Sequence, residues 1–530
     1  MLWFQMISSA LRRAALGGSA IVCVVTSASC RPKNPEKLAP APKVVASVAS
    51  SNVADAPSPL HELRQLWPQS GSVVLSTQVG FRWLGAASHV ELSRTRSFDK
   101  GFERLDGSAV SSDPQLLVAT SADLSDGVWF WRVSGPARHS DIVWSFRVHS
   151  VQDAQGNLLD GADINCDGRA DILLKGQVIL GGGPPTRLRC GLGPAAVNEL
   201  KPVSDQEVPD WGQLVSIGDV DGDGCGDAVT TATPILHQDQ RSQVPVPILF
   251  RGQAGLSSTW LAARRLNRDL SPIGDLNHDG YADTVECTVR ECTVYLGGRD
   301  GVQERPFLVF NNDWLPLGGD FDADGLPDLW AVNHATAGHG YMEFFSGKSS
   351  FSPVPTSSLT LPGDLNGTPA AGLIVGGRST VVGFATKGRS DLFWRATASP
   401  PSITGQAWPG AAHASAGWTG LWRVGVWEFV PLTGPGARGV LVILPVQPDS
   451  PAHSFLQYGF TAAGAPFFLG RLTTPGLGPQ DGLDWFARIG DTNGDGYDDL
   501  LVHGTEDTLG AQLSFEYRGS ATGFTYKQQW

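Results

Sequence analysis

Two stretches near the front of the chain alternate apolar and polar residues with a period of two. In 77–98, "TQVGFRWLGAASHVELSRTRSF", Val79, Phe81 and Trp83 recur at every second position, followed by Val90 and Leu92. In 124–135, "LSDGVWFWRVSG", Trp129, Trp131 and Val133 do the same. Successive side chains of a strand point to opposite faces, so this pattern predicts half-buried β-strands. Farther on the apolar runs are short and continuous: "DILL" from 171, "DAVTT" from 227, "DLWAV" from 328 and "DLLV" from 499. Runs of four or five bounded by turn residues predict buried strands. A further strand with a Gly-marked end usually follows, as in "VILGGG", "PILFRGQAGL", "VYLGGRDGV", "MEFFSGKSS" and "LSFEYRGSATGF". The 64 glycines and 36 prolines suit turn-dense β structure, and an all-β chain is expected.

Each of those buried runs is preceded by a crowd of carboxylates. "GDVDGDGCGD" puts Asp219, Asp221, Asp223 and Asp227 within nine residues. At ~4 Å a like-charge pair repels by about 1 to 4 kcal/mol, so the bare loop calls for a cation. The spacing identifies it: side-chain oxygens at positions 1, 3 and 5, glycine at 6 for the turn, a backbone carbonyl at 7 and a carboxylate at 9 form an all-oxygen shell. Such a shell suits calcium, which tolerates irregular geometry that magnesium does not. The pattern occurs five times. The first loop has Asp163, Asn165, Asp167, Arg169 and Asp171 at positions 1, 3, 5, 7 and 9; the second has Asp219, Asp221, Asp223, Cys225 and Asp227. The third has Asp275, Asn277, Asp279, Tyr281 and Asp283; the fourth Asp320, Asp322, Asp324, Leu326 and Asp328; the fifth Asp491, Asn493, Asp495, Tyr497 and Asp499. An EF-hand needs Glu at position 12 and flanking helices, but position 12 is Leu174, Thr230, Ala331 and Val502 in four loops and only Glu286 fits. Dockerin-like modules place helices after the loops, where this chain has strands.

The first positions fall at 163, 219, 275 and 320, then at 491 after a gap that holds two worn copies around Asp364 and Glu428. Seven units of about one blade each signal a propeller or solenoid. "WGQLVSIGDVDGDGCGDAV" resembles the FG-GAP (VCBS-type) repeat of integrin alpha-chain heads and bacterial surface proteins, with Trp211 at its usual phenylalanine position. The resemblance covers 151–530 and implies a seven-bladed β-propeller, with calcium in the hairpin between strands 1 and 2 of a blade. About five calcium ions are implied, and none at Asp364 or Glu428. Upstream, 61–150 resembles a fibronectin type III or immunoglobulin-like β-sandwich, whose "G-x-Y-x-W-R-V" strand is echoed by Gly127 to Val133.

At the N-terminus, Arg12 and Arg13 precede "AALGGSAIVCVVTSA", then "SAS" and Cys30, so 1–29 reads as a signal peptide. Small residues before Cys30 resemble the lipobox of bacterial lipoproteins, with Ser27 where that family prefers Leu; this implies acylation of Cys30. Residues 30–60, rich in Pro, Ala and Ser, read as an extended tether. An outer-membrane lipoprotein or cell-surface protein of a bacterium is expected, periplasm-facing as an alternative, with the lipid anchor as its contact with the membrane. The formal charge of -13 becomes -15 without the two signal-peptide arginines. Five calcium ions would bring it to about -5, so much of the acidity belongs to the loops. Nothing is basic enough for nucleic acid. Cys287 and Cys292 are expected to staple a hairpin, and Cys166 to pair with Cys190 or Cys225, leaving one thiol over.

No nucleophile elbow, zinc-protease helix, Walker loop or dinucleotide fingerprint is found, and no catalytic residue is assigned. Trp314, Trp422 and Trp485 each lie six residues before a first loop position or its relic. Repetition at one blade position suggests an aromatic ring near the channel mouth that could stack on sugars or anchor a protein. Filling of space between blades is the favoured reading of the same residues. The sequence thus points to a calcium-binding binding or adhesion module for a glycan or protein partner. A structural subunit of an envelope assembly, or a calcium-dependent polysaccharide lyase or hydrolase, are the alternatives.

Overall fold

The computed structural model describes residues between 63 and 530, apart from 149–156, 191–209, 234–245, 334–340, 361–369, 408–439, 444–453 and shorter connecting stretches. Cys30, Asp364, Trp422 and Glu428, with the signal segment and tether, lie outside the described residues. Among the described residues every regular element is a strand, and no helix is long and apolar enough to cross a membrane.

The alternating stretches form two facing sheets. One has the strand order Arg64–Trp67, Gly80–Leu84, Asp113–Thr120, Ser108–Val110. The other runs Asn157–Leu159, Ser72–Val74, Trp144–Val148, Gly127–Ser134, His89–Ser93, Glu103–Asp106. Val79, Phe81 and Trp83 from the first sheet meet Val90, Leu92, Trp129, Trp131, Val133 and Phe146 from the second in one buried cluster. Phe81 sits edge-on to Trp131, with ring centroids 5.2 Å apart, and Trp131 edge-on to Trp144 at 5.6 Å. At ~25 cal/mol per Å2 of apolar surface, rings of this size supply the largest single increments of burial energy in a small sandwich. Asn157–Leu159 falls beyond the boundary at 150 read from the sequence, yet it pairs antiparallel with Ser72–Val74 and extends the second sheet. Three residues are too few to display a period that would assign them to one side or the other.

Seven small sheets follow among the described residues. The first is Ile172–Leu174, Gln177–Ile179 and Arg187–Cys190, with Trp260–Leu261 added in parallel. The second is built on Val215–Gly218, Asp227–Thr233, Val246–Phe250 and Ala263–Arg265, with Asp210–Trp211 also paired to Asp227–Thr233. The third is Ser271–Gly274, Asp283–Cys287, Glu291–Tyr295 and Pro306–Asn311; the fourth is Trp314–Gly319, Asp328–Asn333, Tyr341–Phe345 and Ser357–Thr360. The fifth spans Ala370–Val375 to Pro401–Ala407, and the sixth Val440–Ile443 to Pro466–Thr473. The last is Gly482–Gly490, Asp499–Thr505, Gln512–Arg518 and Thr525–Gln529.

Neighbouring sheets share apolar clusters. Leu173, Val178 and Leu188 of the first pack with Ala228, Ile248 and Phe250 of the second. Ile217, Val229 and Leu249 of the second meet Tyr295 of the third. Ile273, Val285 and Val294 of the third meet Leu329, Ala331 and Phe345 of the fourth. The last sheet returns to the first, where Ile489 and Leu501 pack with Ile172, Leu174 and Ile179. The buried runs read from the sequence are thus strands whose two faces are both covered, which is why they lack alternation.

Candidate metal centres

In the second, third, fourth and fifth loops the acidic segment is the connection between the first and second strands of its sheet. The first loop differs, since the strand before it, Asn157–Leu159, belongs to the sandwich sheet. The loop fold follows from its own side chains. Asp163, Asp219 and Asp275 at position 1 accept hydrogen bonds from backbone N–H groups at positions 5 and 6, with Gly168, Gly224 and Gly280 donating at 2.8–2.9 Å. The position-3 oxygens of Asn165, Asp221, Asn277, Asp322 and Asn493 accept from the N–H at position 5. Asp167, Asp223, Asp279, Asp324 and Asp495 in turn accept from the N–H of Arg169, Cys225, Tyr281, Leu326 and Tyr497. The glycines at position 6 of the first three loops have φ of 85°, 93° and 87°, where a side chain would be strained.

Position 9 is a clamp. One oxygen of Asp171, Asp227, Asp283, Asp328 and Asp499 accepts the N–H of position 2, that is of Ile164, Val220, Leu276, Phe321 and Thr492, at 2.7–3.1 Å. The other oxygen accepts from a glycine just past the second strand after the loop: Gly181, Gly252, Gly297, Gly347 and Gly519, at 2.7–3.0 Å. A Cβ on any of these glycines would stand 1.8–2.4 Å from the carbonyl oxygen of position 8, namely that of Ala170, Gly226, Ala282, Pro327 or Asp498. The Gly-marked strand ends in the sequence are therefore part of the loop assembly, a role visible only once the partner carboxylate is placed.

The loops are also joined to one another. The position-8 N–H of the second loop, Gly226, donates to the position-1 carbonyl of the first, Asp163, at 2.7 Å, and Ala282 repeats this to Asp219 at 2.7 Å. The same bond runs from Ala170 of the first loop to Asp491 of the fifth at 3.4 Å. Pro327 has no N–H to offer the third loop, and there His278 Nε2 meets the carbonyl of Gly347 instead. Cys166 at position 4 of the first loop is disulfide-bonded to Cys225 at position 7 of the second, which settles the pairing left open by the sequence. Cys287 and Cys292 are bonded as expected, directly opposite one another on neighbouring strands.

Positions 1 and 9 are buried in all five loops, position 3 is half-buried, and position 5 is exposed in four. Burial, with neighbouring carboxylates adding to it, pushes the carboxyls of Asp163, Asp219, Asp275 and Asp283 well above the usual range. Burial likewise brings Asp171 and Asp499 to about 7 and Asp328 to about 8. Carboxylate oxygens of Asp219, Asp221 and Asp227, and of Asp320, Asp322 and Asp328, converge to within 4.8 Å. An all-oxygen donor set of this kind fits a hard divalent cation, which would keep the buried carboxyls ionised.

The sandwich rests on these loops. Ser70 donates to the carbonyl of Gly224 at 2.8 Å, and Arg96 to that of Cys166 at 3.0 Å. Trp144 points its indole N–H at Gly222, and Gly280 is seated so tightly that a Cβ would be 2.6 Å from the Gln65 carbonyl. Arg64 lies over the Tyr281 ring at 4.4 Å and 3.8 Å from Asp279, and Arg147 reaches Asp491 at 2.7 Å. Trp314 and Trp485 lie on the first strands of their sheets, opposite Asn333 and His503.

No protein-family model matches this sequence. A mouse protein, integrin alpha-IIb, is 28% identical over 149 residues, covering 22% of this chain and 14% of the integrin's own length. This weak likeness suggests an FG-GAP-like propeller. Among solved structures, a protein from Lactobacillus plantarum overlays with a TM-score of 0.29 at 10% identity, covering 57% of this chain and 81% of its own. An auxiliary nutrient binding protein from Bacteroides thetaiotaomicron overlays at 0.25 and 10% identity, covering 86% and 90%. At these TM-scores neither overlay bears on fold or function.

Proposed function

We propose that the chain is an exported calcium-binding β-propeller of the FG-GAP kind, a seven-bladed ring behind a fibronectin-type-III-like sandwich, held to the bacterial envelope through acylated Cys30. In this reading it is a binding or adhesion module for a glycan or an envelope or extracellular protein. The observation that carries it is the repeated loop: five copies of one hydrogen-bonded cradle, linked by a bond that joins the first to the second, the second to the third, and the fifth back to the first. A bond shared by consecutive units and by the last with the first supports a closed ring of blades. Five loops would each hold one calcium, with the oxygens of positions 1, 3, 5 and 9 and the carbonyl of position 7 as ligands. Two disulfides fit an oxidising compartment.

Catalysis is not part of this reading, because the loop carboxylates are engaged by backbone N–H groups and, in the proposal, by the metal. Trp314, Trp422 and Trp485 are the candidates for a sugar- or protein-stacking surface. The test is a screen of the mature protein against glycans and envelope proteins, with calcium and with chelator, beside equilibrium dialysis. Retained, calcium-dependent capture and about five ions per chain are expected. Turnover of a polysaccharide without retained binding would replace this reading with that of a lyase or hydrolase, and a count of zero to one ion would remove the metal from it.

A further inference from the structure

The fifth loop differs from the others in the residue at position 8. Ala170, Gly226, Ala282 and Pro327 are neutral there, whereas the fifth loop carries Asp498. That carboxylate is fully buried, and Arg147 of the sandwich stands beside it, 6% exposed, with Nη2 3.4 Å from Asp498 Oδ1. The same guanidinium places Nη1 2.7 Å from Oδ2 of Asp491, the position-1 carboxylate of the loop. In the first three loops the corresponding Oδ2 accepts the position-6 glycine N–H, joined in the first loop by the neutral hydroxyl of Ser145 at 3.4 Å. Other arginine contacts fall on other positions: Arg251 on Asp221 at position 3, Arg64 on Asp279 at position 5, and, in the fifth loop itself, Arg518 on Asp499 at position 9, 3.5 Å away. The fifth loop is thus one in which a protein cation holds the carboxylate at position 1.

We propose that Arg147 is an internal competitor for calcium at the fifth loop: the sandwich's guanidinium and the metal ion draw on the same carboxylate, so this loop binds calcium more weakly than the other four. A fixed unit charge next to a divalent ion in a site shielded from water opposes its binding, and Asp498 keeps that charge in place. Occupancy of the fifth loop and the grip of the sandwich on it are therefore linked, each weakening the other by the same factor. The inference rests on the calcium reading of the loops given above.

The test is a calcium titration of the full mature protein by calorimetry and equilibrium dialysis, comparing the parent with Arg147→Gln, Arg147→Lys and the double variant Arg147→Gln/Asp498→Asn. The parent should show four tighter ions and one at least tenfold weaker, a difference of about 1.4 kcal/mol. Arg147→Gln should bring the weak ion into the tighter class, and Arg147→Lys, which keeps the charge, should leave it weak. The double variant gives the fifth loop a neutral position 8, like the other four, and should behave as Arg147→Gln does even if that single variant folds poorly with Asp498 uncompensated. Five equivalent ions in the parent, or a weak class that neither variant moves, would overturn the competition while leaving the calcium reading standing. Absence of calcium at every loop would overturn both.

Discussion

Gly297→Ala isolates the clamp from the metal. Gly297 donates its N–H to the buried Asp283 at 2.9 Å, and an added Cβ would stand 2.4 Å from the Ala282 carbonyl and 2.7 Å from Tyr281 Cβ. Its φ is not in the left-handed region, so alanine brings no backbone penalty of its own and the effect is purely one of contact. Relief must come from moving the strand end away from the loop. Overpacking of this kind costs about 1 to 3 kcal/mol. Loss of a hydrogen bond to a charged group costs about 1.5 to 3 kcal/mol more if the movement breaks it. With the bond broken a total of about 2.5 to 6 kcal/mol is expected, larger than the loss of one calcium site, which at ~1 mM ion and a Kd of ~0.1 mM contributes about 1.4 kcal/mol. Urea denaturation of the mature protein should therefore show a lower midpoint for Gly297→Ala both with calcium and with chelator. Gly80→Ala serves as the control, since a Cβ there meets nothing within 4 Å. A Gly297→Ala midpoint indistinguishable from the control would mean that the third strand is not held to the loop through Asp283.

Three further expectations follow from the same loops and from the N-terminal sequence. Chelation should lower the melting temperature of the sheets from 160 onward strongly, removing about 7 kcal/mol of stability if five such sites are emptied, while the Phe81, Trp131 and Phe146 core of the sandwich persists; calorimetry with and without chelator reads this directly. In the metal-free protein the raised carboxyls of Asp171, Asp328 and Asp499 bind protons more tightly folded than unfolded. The contribution of these groups to stability in chelator should then be greatest below about pH 4 and be lost as the pH rises to about 8, whereas with calcium stability should rise over the same range; a chelator curve that rises between about pH 5 and 8 would contradict the burial argument. Cys30→Ala should release into the soluble fraction a protein that otherwise partitions with membranes, and an unchanged membrane fraction would exclude acylation at Cys30.

Much of this architecture can be read along the chain because its signals are local. Trp129, Trp131 and Val133 announce a half-buried strand by their spacing, and Asp219, Asp221 and Asp227 announce by theirs a loop whose carboxylates converge. What escapes such reading is the identity of partners distant in sequence. Gly252 looks like the end of a strand, and its bond to Asp227 and its contact with the Gly226 carbonyl exist only after the sheet has folded. Arg147 lies between Phe146 and Val148 in an alternating strand, where a polar residue is expected to face water; it is buried because the fifth loop covers it. The short strand Asn157–Leu159 carries too little pattern to reveal that it completes the sandwich sheet. The resemblance to FG-GAP repeats supplies the loop, but it is silent on the sandwich that sits upon it.

The bond between Arg147 and Asp498 spans 351 residues of chain. During synthesis the sandwich and the first sheets are complete long before the fifth loop exists, so the seam between the last sheet and the first can form only at the very end. Such long-range closure is slow, because the entropy of bringing the ends together is spent before any contact repays it. Until then the guanidinium of Arg147 and the apolar edge formed by Ile172, Leu174 and Ile179 stay open to water. A chain cut short before residue 491 would carry that unsealed edge permanently, and it is there that premature association with a second nascent copy would begin.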